Sequence, residues 1–202
     1  METIGGREFY EPANNGGELM PTFDGTPAAV ATEPVSLETA KAFLRVDGTA
    51  DDAVIGLLIS AAREKGEAIS RLAFLTQTVE LVLDAWPDDL TLRLRRAPLQ
   101  SVTSVTYLDE EGVQATWTDY QVDARSAVGY VTFGSVPSVT LFPTGAIKIT
   151  YVAGYGDTAT SVPSNIQMAL LMLIAYWYEN RESQDVPKNI RDMFMSARLV
   201  WF

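Results

Sequence analysis

The sequence predicts an α+β fold: a small helical bundle, two helices from each end of the chain, with a mostly antiparallel β block inserted between them. Three observations carry this. Apolar residues recur at helical spacing near both ends of the chain, a period of two runs through the middle, and the links inside that middle block are too short for crossover helices.

Residues 1–35, rich in Gly, Pro, Asn and acids, hold no period. They carry six acids against Arg7 and read as a flexible arm. Two readings of the arm stand: plain disorder, or a segment that orders on a partner through Phe9, Tyr10 and Phe23. A packed domain is expected over 36–187. In "VSLETAKAFLRVDG" Ser36 suits an N-cap and Glu38 the first turn, with Asp47-Gly48 as the stop, which predicts a helix over 36–46. Its apolar face is Leu37, Ala40, Phe43 and Leu44. A second helix is expected over 51–72, capped by Thr49 or Asp51, with Val54, Ile55, Leu58, Ile59, Ala62 and Ile69 at helical spacing. Gly56 and Gly66 either weaken it or mark the close approach of another element.

The β block spans 76–156. "TQTVELVLDAW" alternates Val79, Leu81 and Leu83 with Thr78, Glu80 and Val82, and "LTLRLRR" alternates Leu90, Leu92 and Leu94 with Thr91, Arg93 and Arg95. "SVTSVTYLDEEGVQATW" reads as a hairpin around Asp109–Gly112, and "YQVDA", "GYVTFG" and "AIKITYVAGYG" complete about seven strands. Helix returns over 163–182, with Pro163 in its first turn. A short helix with an apolar, aromatic end follows in the closing segment 188–202.

The stretch Met168–Tyr178 is apolar without a break for eleven residues. A membrane span needs about 20, so no membrane association is expected. Apolar residues on every face predict a helix enclosed on all sides. Leu170, Leu173, Ile174 and Trp177 are expected on the domain's own helices. Met168, Met172, Ala175 and Tyr176 are left for the strand block or a neighbouring subunit.

Composition excludes several chemistries. There is no Cys and no His, which removes disulfides, thiolate zinc sites, cysteine nucleophiles and Ser-His-Asp catalysis. The net charge of −11 lacks the basic footprint of a nucleic-acid binder, though an acidic wall suits DNA that must slide past. "METIGGREFYEP" has neither the basic start nor the apolar run of a secretory signal. Asp51-Asp52, Asp88-Asp89 and Asp109-Glu110-Glu111 sit at helix starts and turns, where acids cap and solubilise. The last does not match a calcium loop. "GYGD" lacks the lysine of a phosphate loop, and "FGSVPS" is not a nucleophile elbow. No catalytic residue, cofactor site or metal site is assigned.

Two cationic features remain. Arg93, Arg95 and Arg96 line one strand and its exit, either protecting a sheet edge or forming a subunit contact. The last fifteen residues are net +2 and end in Leu199, Val200, Trp201 and Phe202, an apolar end that docks on its own core or on another protein. A different class of function, a carbohydrate-binding or carbohydrate-processing module, would use Trp86, Trp117, Tyr120 and the paired acids.

"SLETAKAFLRVDGTADDAVIGLLISAAREKGEAISRLAFLTQTVELVLDAWP" resembles the opening of the phage head–tail connector family, the adaptor or head-completion proteins of tailed phages and phage-derived particles. "LRRAPLQSVTSVTYLDEEG", "YVAGYGD", "VPSNIQMALLMLIAYWYENRE" and "VPKNIRDMF" continue the resemblance in order over about residues 35–200. The arm, Met1 to about Pro34, departs from the family pattern. The resemblance implies a structural protein at the virion neck, assembled in the host cytoplasm. Its copies form a ring, usually of twelve, beneath the portal protein, and DNA passes through without sequence-specific binding. The ring presents a platform to stopper or tail-terminator proteins; a stopper or tail-completion role is the near alternative. By the same resemblance, 188–202 is the portal-docking segment, through Lys188, Arg191, Phe194, Arg198, Leu199, Val200, Trp201 and Phe202. The subunit contact is expected at Arg93, Arg95, Met172, Tyr176, Arg181 and Glu182.

Overall fold

The computed structural model describes residues 23–24, 32–125, 128–182 and 185–197. Among them are four α-helices, α1 Leu37–Leu44, α2 Asp52–Ser70, α3 Ser164–Glu179 and α4 Lys188–Ala197. Eight strands complete the order: β1 Phe23–Asp24, β2 Gln77–Leu83, β3 Thr91–Arg93, β4 Leu99–Leu108, β5 Gln114–Trp117, β6 Tyr120–Asp123, β7 Tyr130–Phe133 and β8 Ile147–Ala153. The fold is α+β, with strands β2–β8 inserted between the two helix pairs and β1 preceding α1.

All the strand pairings are antiparallel and form two sheets, β1-β2-β8-β4-β5 and β3-β7-β6. Period-two patterning is realised most fully in β2 and β8, the inner strands: Val79, Leu81 and Leu83 face Ile147, Ile149 and Tyr151 in one apolar layer, all buried. β4 pairs with the other edge of β8 through two register shifts and turns back at Asp109–Gly112 into β5. β1 falls inside the segment read as an arm. It adds to the edge of β2, with Phe23 opposite Val82 and Asp24 opposite Leu81.

The helical layer has its own core. Ile55, Ile59 and Ala62 of α2, Ile166, Ala169, Leu170, Leu173 and Ile174 of α3, and Ile190 and Phe194 of α4 are buried together with Phe74 and Leu75. Helix ends follow local chemistry. The Ser36 hydroxyl accepts from the Thr39 N–H at 3.1 Å, capping α1. α1 stops earlier than Asp47-Gly48, at Arg45, which adopts the left-handed conformation (φ 56°) and donates its N–H to the Ala42 carbonyl. Asp51 precedes α2 without a side-chain cap. Its Oδ2 instead accepts from the Tyr178 hydroxyl at 2.7 Å, tying the start of α2 to the end of α3.

Two apolar faces differ from expectation. Phe43 and Val54 are 42% and 43% exposed rather than buried in the core. Gly66 does mark a close approach: a Cβ there would lie 2.8 Å from Phe194 Cε1 and 2.9 Å from Phe74 Cε2, whereas at Gly56 it would meet nothing within 4 Å.

Candidate functional site

The helical layer carries most of the contact residues expected from the sequence. α4 is amphipathic, and the structure corrects one docking residue on it. Phe194 is 0% exposed and stacks on Phe74 at 6.3 Å and 19°, so it is a core residue and unavailable to a partner. Its i−4 neighbour Ile190 is buried with it, which is the spacing of a helix seated on its own domain. Lys188 and Arg191 lie on the opposite, exposed face, and Met195 is 40% exposed beside them. Arg198, Leu199, Val200, Trp201 and Phe202 lie outside the described residues.

The expected subunit-contact residues fall on two separate elements. Arg93 and Arg95 are exposed at and just beyond β3, which is an edge of the three-stranded sheet, where charge guards against stray pairing. Arg96 turns inward. Its N–H donates to the Tyr151 hydroxyl at 3.2 Å and its guanidinium to the Leu72 carbonyl at 3.3 Å. The other candidates belong to α3 and its exit: Met172 and Tyr176 are half-buried, and Arg181 and Glu182 are exposed.

Beside that exit lies a groove of about 570 Å³ lined by Leu58, Ala61, Glu64, Lys65, Ala68, Trp177 and Arg181. Leu57, one turn before Ala61 on α2, is 74% exposed. Sequence reasoning placed Val54 and Leu58 on the buried face and left Leu57 aside. The available signal was width: Val54, Leu57, Leu58 and Ala61 add a second apolar arc to a helix that already buries Ile55, Ile59 and Ala62.

Beneath this surface a charged network holds α2 to the chain before α1. Glu33 accepts from Arg63 Nε and from the Ser60 hydroxyl, each at 2.9 Å. Arg63 also reaches Glu67 at 3.4 Å, and the other oxygen of Glu67 accepts from the Phe74 N–H at 2.8 Å and the Gln77 amide at 2.9 Å. Glu67 is 2% exposed. Burial pushes its carboxyl above the ordinary 4.5, against the pull of the Phe74 N–H, Arg63, Arg96 and Gln77.

The geometry does not support the carbohydrate reading. Trp86 meets Phe133 edge to face at 5.0 Å, Tyr107 at 6.2 Å and Trp117 at 6.3 Å, and Tyr120 packs on the same sheet core. The carboxylates serve local structure: Asp89 and Asp109 accept from the N–H groups of Thr91 and Val113 in their turns, and Asp52 pairs with Lys41. Among the described residues no group of three or more Asp or Glu side chains is placed to hold a metal ion, and no helix is long and apolar enough to cross a membrane.

Comparison with known proteins agrees with this picture. Three solved structures share the fold. The neck of an empty GTA (gene transfer agent) particle computed with C6 symmetry matches with a TM-score of 0.72 at 21% identity, covering 88% of this chain and 97% of that one. The virion of a native gene transfer agent particle matches at 0.70 and 23%, covering 87% and 94%. The neck of a native GTA particle computed with C12 symmetry matches at 0.65 and 20%, covering 88% and 97%. No curated protein matches. The family model for head completion proteins matches residues 33–190, from the Glu33 anchor of the helical layer to Ile190 in its core, and the chain therefore belongs to the head completion protein family.

Proposed function

We propose that this protein is the head–tail connector of a phage-like particle. Its copies form a ring beneath the portal, extend the DNA channel, and offer a platform to stopper or tail-terminator proteins. The family match over residues 33–190 carries the reading. The necks that share its fold are computed with C6 and C12 symmetry, which favours a ring of twelve copies. A net charge of −11 suits a wall along which DNA moves without being held. The role is structural, in the virion neck, with assembly in the host cytoplasm. Portal docking is assigned to the exposed face of α4, Lys188 and Arg191, together with Arg198–Phe202.

Electron microscopy of the full chain mixed with its portal tests this. A symmetric ring coaxial with the portal is expected, weakened by removal of Leu199–Phe202 or by the charge reversals Lys188→Glu and Arg191→Glu. Portal that never captures the protein at any salt concentration refutes it.

A further inference from the structure

On α3, Met168, Met172 and Ala175 share one side, and Glu179 closes it eleven residues on, three helical turns from Met168. Met168 is 45% exposed, Met172 and Ala175 are half-buried, and Glu179 is exposed. Trp177 lies nine residues from Met168, roughly half a turn round the helix, and it lines the groove against α2. The helical layer therefore shows two apolar surfaces on opposite sides of α3. One is a ridge that ends in an acid. The other is a groove floored by Leu58, Ala61, Ala68 and Trp177 whose rim holds Lys65 and Arg181 against Glu64, a local positive excess on a chain of −11, with Leu57 exposed one turn before Ala61 on the same helix.

A closed ring of identical subunits needs two different patches on each copy, facing opposite ways, each complementary to the other. We propose that the Met168–Met172–Ala175 ridge of one copy seats in the Leu58–Ala61–Trp177 groove of the next and covers the exposed Leu57 one turn before Ala61, with its Glu179 between Lys65 and Arg181 of that neighbour. This contact rests on the ring reading above and assigns the ring's seam to α2 and α3 rather than to the Arg93–Arg95 sheet edge. An apolar ridge in an apolar groove supplies the attraction, and the charged rim sets the register.

The chain contains no cysteine, so introduced thiols report without background. Ala61→Cys and Ala175→Cys combined in one chain, treated with a short bis-maleimide during ring assembly on portal, should give a ladder of covalent oligomers. The two single variants mixed should give dimers alone, and Ala61→Cys paired with Val113→Cys at the hairpin tip should give monomers. Leu57→Asp should leave the unfolding midpoint unchanged while ring yield falls about tenfold or more, because it buries an unpaired carboxylate. Lys65→Glu should weaken assembly and Glu179→Lys in the same chain should restore it. A ring seen by microscopy with no ladder, or an undiminished ring yield from Leu57→Asp, overturns this seam and leaves the ring standing. Absence of any ring overturns both.

Discussion

Gly66 and Phe194 offer a quantitative check on the seating of α4. Phe194 is fully buried against Phe74, and Phe194→Ala should cost about 3–5 kcal/mol. That is a large share of the roughly 5–15 kcal/mol that holds a domain together. Gly66→Ala gains about 1 kcal/mol of helix propensity. Against this, the new methyl lies 2.8 Å from Phe194 Cε1 and 2.9 Å from Phe74 Cε2. Overpacking of this kind costs about 1–3 kcal/mol, so the single variant should be neutral to about 2 kcal/mol less stable. In the Phe194→Ala background one of the two clashing rings is gone and the other has room to move, so the same methyl should fill space and stabilise by up to about 1 kcal/mol. The sign of its effect should thus reverse between backgrounds, with a coupling of about 1 kcal/mol or more. Urea unfolding of the four proteins measures it from the midpoints, provided the slopes agree. Additivity within about 0.5 kcal/mol, or a Gly66→Ala variant that is more stable than wild type, would refute the close approach of α4 to α2.

Glu67 makes stability depend on pH. Its carboxyl is raised in the folded state, chiefly by burial, so the folded protein holds a proton that the unfolded chain has released. Its contribution is fully present below the ordinary 4.5 and is lost as pH rises through the folded-state value. The stability of wild type relative to Glu67→Gln, followed by urea melts from acid to neutral pH, should therefore fall as pH rises. A difference that grows would show that the pull of Arg63 outweighs burial. Gly129→Ala should cost about 3 kcal/mol or more in a thermal melt, because its Cβ would lie 2.0 Å from Leu99 Cδ2; an unchanged melting temperature would contradict that packing. Arg45→Gly should gain about 0.5 kcal/mol, the relief of the left-handed strain less the greater freedom of the unfolded chain. A clear loss would show that the exposed Arg45 side chain holds something.

The sequence revealed what depends on neighbours in the chain. The alternation of β2 and β8, the hairpin at Asp109–Gly112 and the Ser36 cap all rest on a few consecutive residues. It concealed what depends on distant partners. β1 is two residues long, and only its pairing with β2 makes it a strand. Arg63 and Glu67 read as an ordinary surface pair at i,i+4 until Glu33, Phe74 and Gln77 close over them. The division into two sheets was equally invisible, because β3 finds β7 across three intervening strands' length of chain, residues 94–129, rather than its neighbour β2. For the surface, the apolar residues left exposed on α3 were legible as an excess over what its own core needs, but the groove on α2 needed the helices in place. Phe194 was misplaced because a short amphipathic helix near a chain end looks the same whether it clasps its own domain or another's.

The helical layer is closed by α1 and α2 together with α3 and α4, with strands β2–β8 made between the two pairs. α1 and α2 leave the ribosome long before α3 and α4 exist, and for that interval their apolar faces have no lasting partner. The layer is completed only when Phe194 covers Gly66. Folding of this layer therefore waits until α4 has been made, as expected where most contacts are non-local. A chain broken off within the β block presents neither ridge nor complete groove. The order of elements thus makes a closed helical layer the sign that synthesis has passed through the β block and reached α4.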